Sequence, residues 1–101
     1  MAAIAGATDS MRFGMNVASI ALRDPLLTAK QCATIDFLSG GRLLPAFGIG
    51  SALSRDYTAT GTPTQGRGKK ADEALTLLRR LWTEEEVSFE GTFFNYDRAS
   101  I

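Results

Sequence analysis

Apolar residues recur along this chain at two different periods, and the switches between them mark its elements. Ala2 to Ala7 is an alanine-rich run that reads as the end of a helix, closed by Thr8, Asp9 and Ser10. Met11 to Ala18 is a mixed apolar run of strand length, with Phe13 and Val17 among its large side chains. Asp24-Pro25 reads as a helix N-cap followed by proline at the first helical position. A short acceptor side chain satisfies free amides there, and proline brings no amide to satisfy. From Leu26 to Leu38 the apolar positions Leu26, Ala29, Ala33 and Phe37 fall at three- and four-residue steps, which predicts a helix. Gly40-Gly41 stops it, as a left-handed C-terminal turn requires.

Leu43 to Ile49 is apolar almost throughout and predicts a second strand buried on both faces, although Pro45 cannot donate to a sheet ladder. Gly50 to Gly66, rich in Ser, Thr and Gly, reads as a long loop. Lys69 to Glu84 is the clearest helix, with Ala71, Ala74, Leu75, Leu78, Leu81 and Trp82 as its apolar stripe. Asp72 and Glu73 fall in its predicted first turn and Arg79 and Arg80 near its end, which suits the helix dipole. The tail from Val87 to Phe94 alternates around Gly91 and predicts a small hairpin. Strands that alternate with helices indicate the α/β class and a parallel sheet, whose functional loops follow the C-terminal ends of the strands. Two loops answer that description, Asn16 to Arg23 and Gly48 to Gly66.

Charge narrows the partners. Eleven basic and 11 acidic residues give a formal net charge of zero, so no basic excess points to a nucleic acid. No apolar run approaches the ~20 residues that span a bilayer, and the N-terminal residues lack the pattern of a signal peptide. The single cysteine, Cys32, excludes an intramolecular disulfide and predicts a small buried residue in the first long helix. Histidine is absent, which removes triad chemistry, histidine metal sites and a histidine base from this chain. A reducing, cytoplasmic setting is the expectation.

Three groups of residues could carry chemistry. Gly48-Ile49-Gly50 ends the second strand, where glycines admit a phosphate or a ring close to the backbone, or simply serve packing and a tight turn. A dinucleotide fingerprint would need a third glycine where Leu53 stands and an immediate helix. Arg67, at the mouth of the last helix, is either an anion clamp or a solvent-exposed arginine, and spacing alone does not choose. Asp36 and Arg42 flank Gly40-Gly41 and predict an ion pair that braces the turn rather than a catalytic acid.

Taken in order, these pieces resemble the bacterial luciferase-like flavin or deazaflavin oxidoreductases. The resemblance runs from about Met11 to Phe94. It is carried by Asp24-Pro25-Leu26-Leu27-Thr28-Ala29-Lys30-Gln31 and Thr34-Ile35-Asp36-Phe37-Leu38-Ser39-Gly40-Gly41-Arg42. Phe47-Gly48-Ile49-Gly50, Arg67 with Asp72-Glu73-Ala74-Leu75, Leu81-Trp82 and Val87-Ser88-Phe89-Glu90-Gly91 complete it. The family fold is a TIM (β/α)8 barrel. The resemblance implies that residues 1–101 are one internal piece of that barrel domain: the end of its second helix, then strand three through helix four, about two βα units, and a small hairpin.

It further implies monooxygenation or hydride transfer with FMN or a deazaflavin (coenzyme F-420) and a small organic substrate. A non-proline cis peptide that backs the flavin ring in the family falls at Asn16-Val17. The segment beside the cofactor tail falls at Gly48, Ile49, Gly50 and Ser51, and a phosphate-contacting arginine at Arg67. Ile49 stands where luciferase-type members carry a phosphate-binding arginine, and Pro45 where glycine is common. Catalytic residues are not implied within this stretch. Two other functions fit the same residues, a non-catalytic flavoprotein or pairing subunit and a truncated product that only associates with other chains. With so few strands, such a piece is expected to self-associate or to take its missing strands from a longer chain.

Overall fold

A computed structural model describes residues 1–15, 17–51 and 53–101. The order is α1 (Ala2–Ala7), β1 (Ala18–Ser19), a 3-10 turn (Ile20–Leu22), α2 (Pro25–Leu38), β2 (Phe47–Gly48), α3 (Arg55–Ala59), α4 (Arg67–Thr83), β3 (Val87–Glu90) and β4 (Asn95–Ala99). β1 and β2 pair in parallel across α2, as the alternation of strand and helix predicts, and β3 and β4 form an antiparallel hairpin. The described residues hold these two small sheets and no closed barrel.

The strands are shorter than their apolar runs. Between Met11 and Ala18, and between Leu43 and Ile49, pairing survives at an isolated Phe13–Leu43 bridge and again at Ala18–Phe47 and Ser19–Gly48. Five residue steps from Phe13 to Ala18 oppose four from Leu43 to Phe47, so the first segment carries one extra residue, which breaks the ladder as a bulge does. Pro45 sits in the broken stretch, where no donor is required of it. Burial on both faces is also corrected: Leu43 is buried, whereas Leu44 and Ile49 are exposed.

α2 begins as its capping residues dictate. Asp24 Oδ1 accepts from the Leu26 and Leu27 amides at 2.8 and 3.4 Å, with Pro25 in the first turn. Its end is a left-handed turn at Gly40, with the Gly41 amide donating to the Asp36 carbonyl at 2.7 Å and the Gly40 amide to that of Phe37 at 3.2 Å. The buried face is Pro25, Thr28, Ala29 and Cys32 rather than the stripe ending at Phe37, which is 84% exposed. Burial pushes the Cys32 thiol above its ordinary pKa, in keeping with an inert core residue.

Asp36 and Arg42 brace the turn, but not as a pair. Asp36 Oδ1 accepts from the Leu43 amide at 3.2 Å. Arg42 donates to Thr8 Oγ1 and to the carbonyls of Ala5, Thr8, Met11 and Ser39 at 2.7–3.0 Å, and its guanidinium lies 5.5 Å from the Phe13 ring. It thereby satisfies the open carbonyl end of α1 and ties it to the strand start.

α4 supplies the main core. Ala71, Ala74, Leu77, Leu78 and Leu81 are buried against Ile20, Ala29 and Val87. Leu75 and Trp82 of the predicted stripe turn outward, and Leu77 takes the buried place. The Trp82 indole still reaches α2, donating to the Ala29 carbonyl at 3.1 Å. Because α4 starts at Arg67, Asp72 and Glu73 lie beyond its first turn. Glu73 has another partner: it accepts from the amides of Thr92, Phe93 and Phe94 at 2.7, 2.9 and 3.3 Å. Desolvation opposes its charged form, yet the amides of Phe93, Thr92 and Phe94 outweigh that and hold its pKa below the usual carboxylate value. The hairpin extends past its predicted end, to Ala99, and the predicted Gly91–Phe94 stretch is its turn.

Candidate functional site

The candidate site lies where β1 and β2 end. Val17 precedes β1 with its side chain exposed, and Gly48 closes β2 opposite Ser19. A Cβ built on Gly48 would stand 2.8 Å from Val17 Cγ2, so a side chain there would require the exposed Val17 side chain to move. Gly50 follows with φ +70°, a left-handed conformation, and a Cβ there would meet Tyr57 Cε2 at 3.5 Å and Ser19 Oγ at 3.8 Å. Ser51 then turns the chain. Its carbonyl accepts from the Ser54 amide at 3.0 Å and its hydroxyl from the Leu53 amide at 3.1 Å. Gly48, Ile49, Gly50 and Ser51 thus run as one strip past the end of β2, with Val17, just before β1, against Gly48. Asn16 lies outside the described residues.

α3 was hidden in a stretch that reads as loop, and it brings Tyr57 to the strip. Tyr57 is 1% exposed, and its hydroxyl donates to the Ile49 carbonyl. The sequence does carry the signals of this helix. Ser54 caps it through the Asp56 amide at 3.2 Å, and left-handed Gly61 ends it with the Thr62 amide donating to the Tyr57 carbonyl at 2.9 Å. Pro63 follows two residues later. A five-residue helix with one large apolar residue has too little periodicity to register as a stripe.

Arg67 opens α4 immediately after left-handed Gly66. Its Nη1 reaches the Thr64 carbonyl at 3.4 Å, a long contact, and its Nε is buried with no hydrogen-bond partner among the described residues. A buried guanidinium N–H left open costs free energy, and a helix N-terminus favours an anion beside it. Among the described residues no hydrogen bond joins Arg67 to the Gly48–Ser51 strip.

An open cavity of about 390 Å³, sharing Val17 with this site, lies between Val17, Ala18 and Phe47 on one side and Arg23 with Gln31 and Cys32 of α2 on the other. It is apolar apart from Arg23, Thr28 and Gln31.

The profile of the luciferase-like monooxygenase family matches residues 1–101. The chain belongs to this family. An F420-dependent glucose-6-phosphate dehydrogenase of Kineococcus radiotolerans is 33% identical over 100 residues, which are 97% of this chain and 30% of the relative. A second enzyme of that name, from Intrasporangium calvum, is 35% identical over 106 residues, spanning all of this chain and 32% of its own length. The crystal structure of monooxygenase RslO1 from Streptomyces bottropensis superposes with a TM-score of 0.87 at 34% identity, over 94% of this chain and 29% of that one. The riboflavin lyase RcaE, at 21% identity and a TM-score of 0.88, shares the fold. The luciferase-like chain described here therefore spans about a third of the length of the relatives it matches. No helix among its described residues is long and apolar enough to cross a membrane.

Proposed function

We propose that residues 1–101 are one segment of a luciferase-like (β/α)8 barrel domain in an oxidoreductase that uses reduced FMN or a reduced deazaflavin on a small organic substrate. The observation that carries this reading is Arg67 at the start of α4, a cation beside a helix N-terminus whose buried Nε has no hydrogen-bond partner among the described residues. Gly48 and Gly50 support it by their place at and just after the end of β2, where parallel α/β folds place their ligands. Relatives named as F420-dependent dehydrogenases and a neighbour named as a monooxygenase agree with a flavin-type redox cofactor.

In this reading Arg67 holds the cofactor phosphate, in place of the arginine that Ile49 does not supply. Val17 and Asn16 back the ring, and Gly48, Ile49, Gly50 and Ser51 line the tail. The bound cofactor supplies a hydride or an electron pair. This segment binds and orients it, and the residues that act on the substrate belong to other parts of the barrel.

Titration of the full-length polypeptide with FMN and with deazaflavin tests the assignment. Arg67→Ala should weaken binding by about 1.5–3 kcal/mol, the range for a charge-assisted hydrogen bond. Unchanged affinity for both would leave Arg67 an ordinary surface arginine.

A further inference from the structure

Tyr57 is the buried polar group that the strand-end strip does not account for. Its ring is sealed under the Gly48–Ser51 turn, against Gly50, and its hydroxyl donates to the Ile49 carbonyl. That carbonyl belongs to the first residue after β2, where ladder pairing has stopped, so no strand partner fixes its direction. Tyr57 itself is held from both sides. Ser54 caps the helix that carries it, and its own carbonyl accepts from Thr62 at 2.9 Å in the turn that ends that helix.

We propose that Tyr57 is a positioning residue: by holding the Ile49 carbonyl away from the strand ends, it sets the Ile49–Gly50 peptide plane so that the Gly50 amide faces the ligand. The proposal rests on the cofactor reading of this strip. The Ile49 carbonyl and the Gly50 N–H share one trans peptide plane and point in opposite directions, so a donor buried on the inner side of the turn commits the carbonyl inward and the Gly50 N–H outward. Left-handed Gly50 completes the reversal, and its lack of Cβ leaves room for the Tyr57 ring. No other residue type offers both a ring of that size and a donor at its tip.

Tyr57→Phe keeps the ring and removes the donor, which separates positioning from packing. The expected result in the full-length protein is a melting temperature lowered by no more than about 4 °C, the cost of one neutral hydrogen bond. In the cofactor-saturated protein, protection of the Gly50 amide from exchange should fall about tenfold with α4 unchanged, and affinity for FMN or deazaflavin should weaken about three- to tenfold. Unchanged protection of Gly50 in the bound protein overturns the proposal, whatever the affinity. Lost protection with unchanged affinity also overturns it, because the amide would then turn without consequence for the ligand. A wild-type protein that binds neither cofactor removes the cofactor reading, and this proposal with it.

Discussion

At the scale of single residues, close approach decides more than chemical type. Gly14 lies between the Phe13–Leu43 bridge and the extra residue of the first strand segment, and a Cβ there would overlap the Leu44 carbonyl oxygen. That oxygen is backbone, next to the amide that donates to Phe13 at 2.8 Å, so it cannot swing aside without opening the pair. Gly14→Ala should therefore destabilise the fold by about 1–3 kcal/mol, the usual cost of forcing atoms into a packed place. Gly6, in α1, has nothing within 4 Å of its Cβ position, and Gly6→Ala should be neutral or stabilising by up to about 1 kcal/mol. Urea denaturation of the two variants checks the contrast, and equal midpoints would show that the strand pair shifts freely. Gly48 differs, because its Cβ would meet only the side chain of exposed Val17, which can rotate away.

Between elements, polar anchors join what the apolar core only brings near. The hairpin is fixed to α4 by Glu73 and to the start of α2 by Tyr96, whose hydroxyl donates to Asp24 Oδ1 at 2.9 Å and accepts from the Leu26 amide at 3.2 Å. Burial, and then the hydrogen bond to Asp24, push the Tyr96 phenol up to about 12. A pKa raised by folding stabilises the protein below the unfolded value of about 10, and that contribution is lost as pH climbs through 12. Tyr96→Phe should lower stability at neutral pH by about 1 kcal/mol, the net worth of such a bond, and should flatten the loss of stability between about pH 10 and 12. Thermal melts across that range decide the matter; a variant with the same alkaline slope as the wild type would mean that other groups cause it. Neither anchor is visible in the sequence, because Asp24 and Tyr96 are 72 positions apart, and only the fold makes them neighbours.

The whole molecule is a slab, 41 × 33 × 17 Å, about one helix layer on one strand layer. Its helices cover one side of the β1–β2 pair, and large apolar side chains remain open elsewhere. Val17, Leu44 and Ile49 are exposed along the strands, Leu53 is 92% exposed beyond them, and Phe37 and Leu38 stand out from the end of α2. Apolar surface of this extent and a two-stranded sheet with free edges both favour association. Residues 1–101 alone should therefore sediment as dimers or larger species at micromolar concentration, with flavin binding weak or lost. Analytical ultracentrifugation that finds only the 10.9 kDa monomer, at concentrations where it binds FMN or deazaflavin, would overturn this view.

What the chain determines by itself is local. Asp24-Pro25 starts α2, Gly40-Gly41 ends it, and the spacing of Ala71, Ala74, Leu78 and Leu81 fixes a buried face of α4, since capping and helical period act between residues a few positions apart. The parallel order of β1 and β2 follows from their alternation with α2. Tertiary structure decided the rest. It cut the strands to two residues each by a mismatch of one step, turned Phe37, Leu75 and Trp82 outward, and gave Arg42 to α1 and Glu73 to the hairpin instead of a nearby charge or the dipole. The strip Gly48 to Gly50 was legible as a glycine-marked strand end, but Tyr57 beneath it and the buried, unpartnered Nε of Arg67 were not. Burial and orphaned donors depend on which distant segments close over a residue, and no local pattern in the sequence encodes that.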